Sequence, residues 1–582
     1  MSLRKFLGCV LSVLTFAAAH DAFAADAKKA KPAKPSAQAK VPDGGVPHYI
    51  KEETPEQRRE RLGTNEDPGL DPDPKKVWYR FGKEFHIEKF DKRWAKKTDT
   101  PGWVKAFAFA NFVDELYQEN EKYVWVWQEI IPDEPAVAAA PAQPAEEPRA
   151  YRKLDEKGVQ FLESMVSEFT PLDPPKSTTR LTFANASTGL PTSGNWRNSL
   201  ALADMNGDGK MDILAPPERG GGRVIPTIFL GDGKGNWKFW PTKWPTRLNY
   251  GSAIAADFNN DKIMDAAFGI HLSGVAIYLG DGKGGFREVQ RVTDYATRRI
   301  VARDIDKDGW LDVVAISEGP VRRGNESIAG QPDTNLHAFL NRAKGEKWER
   351  ANLAGPKELI SGDWLASGDF NGDGVPDFAG SDIYTNGVDT IYVSKGPAKY
   401  EPLRGENLVP FFSNYSATAA GRFTAKDRDD AIVTFGRNWL THVDPAQVAP
   451  PPFLAIAGVD RISWVNGQPK RFPIMRWGGD VVNTVYGINS GDFDSDGNLD
   501  IVFVHPDQRR FVMLLGDGKG GFREATLDGL PLSPQPVYDL AVADMNGDKR
   551  PDIVMMYSAE GGTALARKNG KIEVFLNRGV TR

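Results

Sequence analysis

Asp204-Met-Asn206-Gly-Asp208-Gly-Lys210-Met-Asp212 places side-chain oxygens at positions 1, 3, 5 and 9 of a nine-residue loop. The spacing returns as Asp257-Phe-Asn259-Asn-Asp261-Lys-Ile263-Met-Asp265, Asp304-Ile-Asp306-Lys-Asp308-Gly-Trp310-Leu-Asp312 and Asp369-Phe-Asn371-Gly-Asp373-Gly-Val375-Pro-Asp377. Two further copies are Asp492-Phe-Asp494-Ser-Asp496-Gly-Asn498-Leu-Asp500 and Asp544-Met-Asn546-Gly-Asp548-Lys-Arg550-Pro-Asp552. Position 7, filled by Lys210, Ile263, Trp310, Val375, Asn498 or Arg550, would add a backbone carbonyl. Several hard oxygens at one point suit Ca2+. Glycine at position 6 suits a turn with positive φ. Solvated acidic turns would not explain Asp or Asn at all four positions in six copies. The reading is up to six calcium sites of structural type. An EF-hand is disfavoured, because its position 12 needs a bidentate Glu. That position here is Ala215, Phe268, Ala315, Gly380, Phe503 or Met555, and the flanks read as strands.

From about residue 178 onward the chain repeats with a period near 50 residues. A small apolar strand, as in Ser199-Leu-Ala-Leu-Ala, leads into the loop, and a second, as in Met211-Asp-Ile-Leu, leaves it. A third strand (Thr227-Ile-Phe-Leu) runs into a tight Gly231-Asp-Gly-Lys-Gly235 turn, repeated at Gly280–Gly284 and Gly516–Gly520. A fourth strand starts at Trp237, Phe286 or Phe522. Four antiparallel strands, repeated radially, make a propeller blade. A seventh, degenerate copy, Arg422-Phe-Thr424-Ala-Lys426-Asp-Arg-Asp-Asp430, keeps position 9 and loses the other ligands. It reads as a blade without metal, with Arg422 or Lys426 in the ion's place. The chain ends on a third strand, Ile572-Glu-Val-Phe-Leu-Asn577. Residues Leu181 to Ala184 should therefore pair with it and close the ring.

These repeats resemble the FG-GAP/VCBS repeats of integrin α-subunit propellers and of many bacterial secreted proteins. The resemblance covers about 178–582 and implies a seven-bladed propeller with calcium between the first and second strands of a blade. Lys262 and Lys549 replace the position 6 glycine, and a side chain in the left-handed region costs about 1 kcal/mol. Those two sites should bind more weakly.

The 582 residues carry a formal charge of -5 and a pI near 6.0, with no footprint for nucleic acid. The N-terminus reads as a signal peptide over 1–24: Arg4 and Lys5, an apolar run from Phe6 to Ala19, then Ala22-Phe-Ala24. No later stretch approaches a transmembrane span. The only cysteine, Cys9, lies inside that signal, so bound calcium would stand in for disulfides. Residues 25–76 read as a disordered Lys/Pro/Ala tether. Residues 77–131 read as a small aromatic-rich module, α+β or helical, with a helix from Thr100-Pro101 and a strand over Tyr123–Trp127. Residues 132–149 form a Pro/Ala linker, and 150–177 a short helix and connector.

In such a meander, metal loops and glycine turns share the lower face. The second-to-third loops share the upper face, and the long insertions 318–335, 436–452 and 558–571 all fall there. Binding usually sits on variable loops of a rigid scaffold. Tyr250, Trp364, Tyr415, Tyr486 and Tyr538 precede the inner strands and should ring the upper mouth. No histidine sits in a catalytic motif, and His271 and His505 read as lone residues facing upward. Function reads as an exported binding, adhesion or envelope scaffold with a protein or surface polysaccharide partner, in the periplasm, on the cell surface or secreted. The alternative is a polysaccharide lyase or hydrolase using groups such as Glu318, Glu326, His442 or Tyr486.

Overall fold

The computed structural model describes residues 154–581, apart from 198, 220–224, 272, 319–321, 324–325, 328–335, 354–361, 363, 381–389, 404–412, 440–443, 480–481, 534–536 and 560–568. Upstream it describes two strands, Lys76–Gly82 and Tyr123–Glu129, which pair antiparallel. The expected helix near residue 101 lies outside the described residues.

Seven four-stranded antiparallel units follow one another. Blade 1 comprises Ala201–Ala203, Asp212–Ala215, Thr227–Gly231 and Trp237–Trp240, in that spatial order. Blades 2 to 6 repeat the order, each starting at its first strand: Gly251–Ala256, Thr297–Arg303, Leu365–Gly368, Ser413–Gly421 and Ile488–Gly491. Blade 7 takes three strands from the C-terminus, Val537–Ala543, Asp552–Tyr557 and Lys571–Thr581, and its fourth, Lys176–Asn185, from upstream. The closure expected from the sequence is present: Leu181 pairs with Val580 and Ala184 with Leu576. The first strands neighbour one another around the ring, and that of blade 7 meets that of blade 1.

The second strands are buried on both faces, as in Ile213-Leu-Ala215 and Asp552–Tyr557. Alternate residues face opposite neighbours. Ile213 joins the core shared with blade 7, and Leu214 the core shared with blade 2. Seven hydrophobic clusters result, one in each seam between blades. Each seam receives the apolar residue at position 2 of one loop: Met205, Phe258, Ile305, Phe370, Phe423, Phe493 or Met545. Asparagines of two third strands reach the preceding blade: Asn341 Nδ2 donates to Phe258 O at 2.7 Å, and Asn577 Nδ2 to Phe493 O at 2.8 Å.

Blade 5 departs from the others. Its third and fourth strands, Ala455–Val465 and Gln468–Gly479, are 11 and 12 residues long, against 5 and 4 in blade 4. The second strand runs on to Asn438, so the insertion begins later than expected. This leaves an overhanging face that the helix Glu156–Val166 covers. Asp155 caps that helix, accepting Gly158 N–H at 2.8 Å. Leu162, Met165 and Phe169 enter the seam of blades 4 and 5, where Phe169 meets Trp439 edge-on at 5.3 Å. Glu168 then lies 2.7 Å from Arg471, 3.0 Å from Arg476 and 3.3 Å from Arg437. Burial works against its ionisation, but the arginines outweigh it and hold the carboxyl below its ordinary value. After Pro175 the chain adds a parallel pairing between Lys176–Asn185 and Phe522–Asp528 of blade 6, which was not expected from the sequence.

Leu181 is fully buried in the double pairing at the closure. Leu181→Ala is expected to cost about 2–5 kcal/mol, read as a fall in the urea midpoint. Leu172→Ala, at a 41 % exposed position, should change it by under about 1 kcal/mol.

Candidate functional site

The six acidic loops share one geometry. The position 1 aspartate accepts the N–H groups of positions 5 and 6, as Asp204 does from Asp208 at 3.0 Å and Gly209 at 2.7 Å. The position 5 carboxylate accepts the N–H of position 7, as Asp208 does from Lys210 at 3.0 Å. Position 6 has positive φ throughout, and Lys262 (φ 71) and Lys549 (φ 67) adopt it as glycine does elsewhere. Position 4 is also left-handed, with Asn260, Lys307 and Ser495 carrying the strain in three loops.

Position 9 does something else. Its side chain is buried and spans two backbone donors. Asp500 accepts Phe493 N–H at 2.8 Å and Gly516 N–H at 2.9 Å. Asp212, Asp265, Asp312, Asp377 and Asp552 repeat this, each joining position 2 of its loop to the end of the third strand. Burial pushes these carboxyls up: Asp212 to about 6, Asp265, Asp312, Asp377 and Asp552 to about 7, and Asp500 to about 8. The N–H bonds pull the other way, and the acidic neighbours of the loop add to the rise. Such carboxyls are poised for a cation that would keep them ionised.

Asn at position 3 donates to the position 5 carboxylate in four loops, as from Asn259 to Asp261 at 2.9 Å. Asp306 and Asp494 cannot. Asp306 is met by Arg342, whereas the Asp494 carboxyl is raised by burial and by Asp496. In these two loops the carboxylates of Asp304, Asp306 and Asp312, and of Asp492, Asp494 and Asp500, bring oxygens within 4.8 Å of one another, close enough to share a metal ion.

In blade 5 Asp430 keeps position 9 but not its partners. Thr424 Oγ1 donates to it at 2.8 Å, and Arg461 of the third strand lies 3.8 Å away. This corrects the expected substitution. Arg422 is an exposed residue 3.8 Å from Asp429, and Lys426 forms no ion pair among the described residues.

The upper mouth differs from the sequence reading. Tyr415 and Tyr538 lie within first strands rather than before them. Trp364 and Tyr486 come together, with ring centroids 5.8 Å apart and the indole N–H 3.0 Å from Tyr486 O. Tyr250 is buried against His271, with ring centroids at 4.6 Å. His271 is not solitary: its Nδ1 lies 2.7 Å from Glu318 Oε2, which Arg298 Nε also reaches at 2.5 Å. His505 packs on Trp477. His442 lies outside the described residues, as does the side chain of Glu326. Beneath the mouth, Arg299 of blade 3 and Asp539 of blade 7 form an ion pair across the channel at 3.5 Å, with side chains 17 % and 8 % exposed. Nothing in the local spacing announced either pairing.

Residues 492–555 match the FG-GAP-like repeat family. The match runs from the acidic loop of blade 6 into the second strand of blade 7, and loops of the same spacing recur in blades 1 to 4 of the propeller. No curated protein matches the sequence. Among solved structures it is similar to BBS1N in complex with ARL6DN (TM-score 0.39, 9 % identity, 69 % of this chain and 97 % of that one). It is also similar to the V. cholerae biofilm matrix protein Bap1 (0.30, 13 %, 65 % and 76 %). A third is the Pseudomonas aeruginosa periplasmic gluconolactonase PpgL (0.37, 12 %, 57 % and 86 %). Likenesses this distant carry no weight on function. Among the described residues no helix is long and apolar enough to cross a membrane.

Raised carboxyl pKa values favour the metal-free fold below about pH 4 and lose that contribution as pH rises through about 6 to 8. The rise in melting temperature given by a saturating divalent cation should therefore grow between pH 5 and pH 8. Taking the difference at each pH cancels groups remote from the loops, such as His337 and His505, which burial pushes down to about 3 and about 4. Separately, Asp539→Ala leaves Arg299 buried without its carboxylate and is expected to lower stability by about 3–5 kcal/mol in urea unfolding.

Proposed function

We propose that this protein is an exported, calcium-stabilised β-propeller that acts as a binding scaffold at the cell envelope. Its ligand surface is the upper face, opposite the metal loops. One observation carries the reading: in six blades the lower-face loop combines buried, cation-ready carboxylates with the hydrogen bonds that hold the blade together. A calcium ion there takes carboxylate or amide oxygens from positions 1, 3, 5 and 9 and the carbonyl of position 7, which leaves little room for a substrate. The lower face is thus committed to structure, and the variable insertions remain for recognition. The resemblance to secreted repeat proteins and the apolar N-terminal run support export.

A second reading, a polysaccharide lyase or hydrolase on the same scaffold, draws support from the Glu318–His271 pair. A carboxylate on Nδ1 orients an imidazole for acid–base work.

The test is thermal unfolding of the full chain with calcium and with EGTA, with bound metal counted by mass spectrometry. A large upward shift with about six ions is expected, since each site at a hundred times its Kd contributes about 2.7 kcal/mol. No shift and no metal would contradict the calcium assignment.

A further inference from the structure

We propose that the upper mouth is a binding site for a carboxylate-bearing sugar, held by Arg197, Arg219 and Arg298 around Tyr250 and His271. This deepens the reading of the upper face as the ligand surface and rests on it.

The residues come from three blades. Arg197 precedes the first strand of blade 1, and Arg219 follows its second. Tyr250 and His271 flank the first two strands of blade 2. In blade 3 Glu318 follows the second strand as His271 does in blade 2, and Arg298 is the second residue of the first strand, where the register shifts. All are therefore at the upper ends of their strands. The charges of Arg298, Arg219 and Arg197 all act on the Tyr250 phenol, and the Arg219 guanidinium lies 5.8 Å from the Tyr250 ring centroid. Three cations from blades 1 and 3 thus converge on one group of blade 2.

The base of the site is built rather than incidental. The Glu318 side chain is 3 % exposed, and its Oε2 lies 2.7 Å from His271 Nδ1 and 2.5 Å from Arg298 Nε, which also donates to His271 Nδ1 at 2.9 Å. These contacts hold the imidazole through Nδ1 and leave Nε2 for a ligand hydroxyl. Guanidinium groups present planar forks that match carboxylates. Across the mouth, Trp364 and the 36 % exposed Tyr486 offer paired aromatic faces from blades 4 and 6. Tyr and Trp suit ligands with one apolar and one wet face. A pyranose bearing a carboxylate has an apolar C–H face, hydroxyls for His271 Nε2, and an anion for the arginines. The Arg299–Asp539 pair crosses the channel below, so the ligand lies over the mouth rather than through it.

The experiment titrates the calcium-loaded full chain, by calorimetry, with oligogalacturonate and oligoguluronate. A neutral glucan of equal length and a poly-glutamate peptide serve as comparisons. A uronate oligomer is expected to bind at least tenfold more tightly than the glucan. Arg219→Ala should weaken it at least tenfold with an unchanged melting temperature, and Arg219→Lys should fall between. If Arg219→Ala lowers the melting temperature, Arg197→Gln provides the same comparison. Asp496→Asn, on the lower face, should reduce stabilisation by calcium and leave uronate affinity unchanged. The proposal is overturned if neither uronate binds, if the glucan binds equally, if the arginine variants bind normally, or if the peptide binds better. A chain stabilised by calcium that ignores uronates loses this proposal alone, whereas one that ignores calcium loses the metal reading instead.

Discussion

A buried carboxylate at the ninth position of the loop, bonded at both oxygens to backbone N–H groups, is what the rest of the blade depends on in six of the seven blades. In blade 6 Asp500 ties the amide of Phe493 to the amide of Gly516. The first-to-second turn and the end of the third strand are thereby fixed to one side chain. Phe493 is the residue that enters the seam with blade 7, so the same carboxylate also sets the seam. Hydrogen bonds to a charged acceptor contribute about 1.5–3 kcal/mol each, but the desolvated charge opposes them. The raised pKa values express that balance. A cation in the loop tips it, because it restores the charge compensation that burial removed.

Blade 5 shows what a blade needs when its loop loses the acidic positions. Thr424 and Arg461 satisfy Asp430 from within the blade. The strands lengthen, and the helix Glu156–Val166 covers the surface they expose. Glu168 then balances three buried arginines that blade 5 alone would leave short of carboxylate. The segment that docks on blade 5 continues into the strand that closes blade 7, so the least regular blade and the ring closure are secured by one stretch of chain.

The loops, the four-strand unit and the closure at Leu181 were readable in the sequence because each is a local pattern repeated at fixed spacing. The apolar residue at position 2 was equally readable, being Met, Phe or Ile in all seven copies, but its meaning appears only once the seams are seen. The left-handed backbone at position 4 was hidden because Asn260, Lys307 and Ser495 stand there in three loops. The pairs His271–Glu318 and Arg299–Asp539 join residues that are 47 and 240 positions apart, with no spacing to announce them. Arg422 and Lys426 lie in the loop itself, where a replacement for an ion would be sought. The charge came instead from Arg461 on the third strand, where the other blades present a backbone N–H.

The most direct test is a crystal structure of the full chain grown with calcium, with anomalous scattering used to place the ions. One ion is expected in each loop beginning at Asp204, Asp257, Asp304, Asp369, Asp492 and Asp544, with none at Arg422. Loops that keep only their own hydrogen bonds in saturating calcium would contradict the assignment. They would show that the buried aspartates hold the blades without an ion.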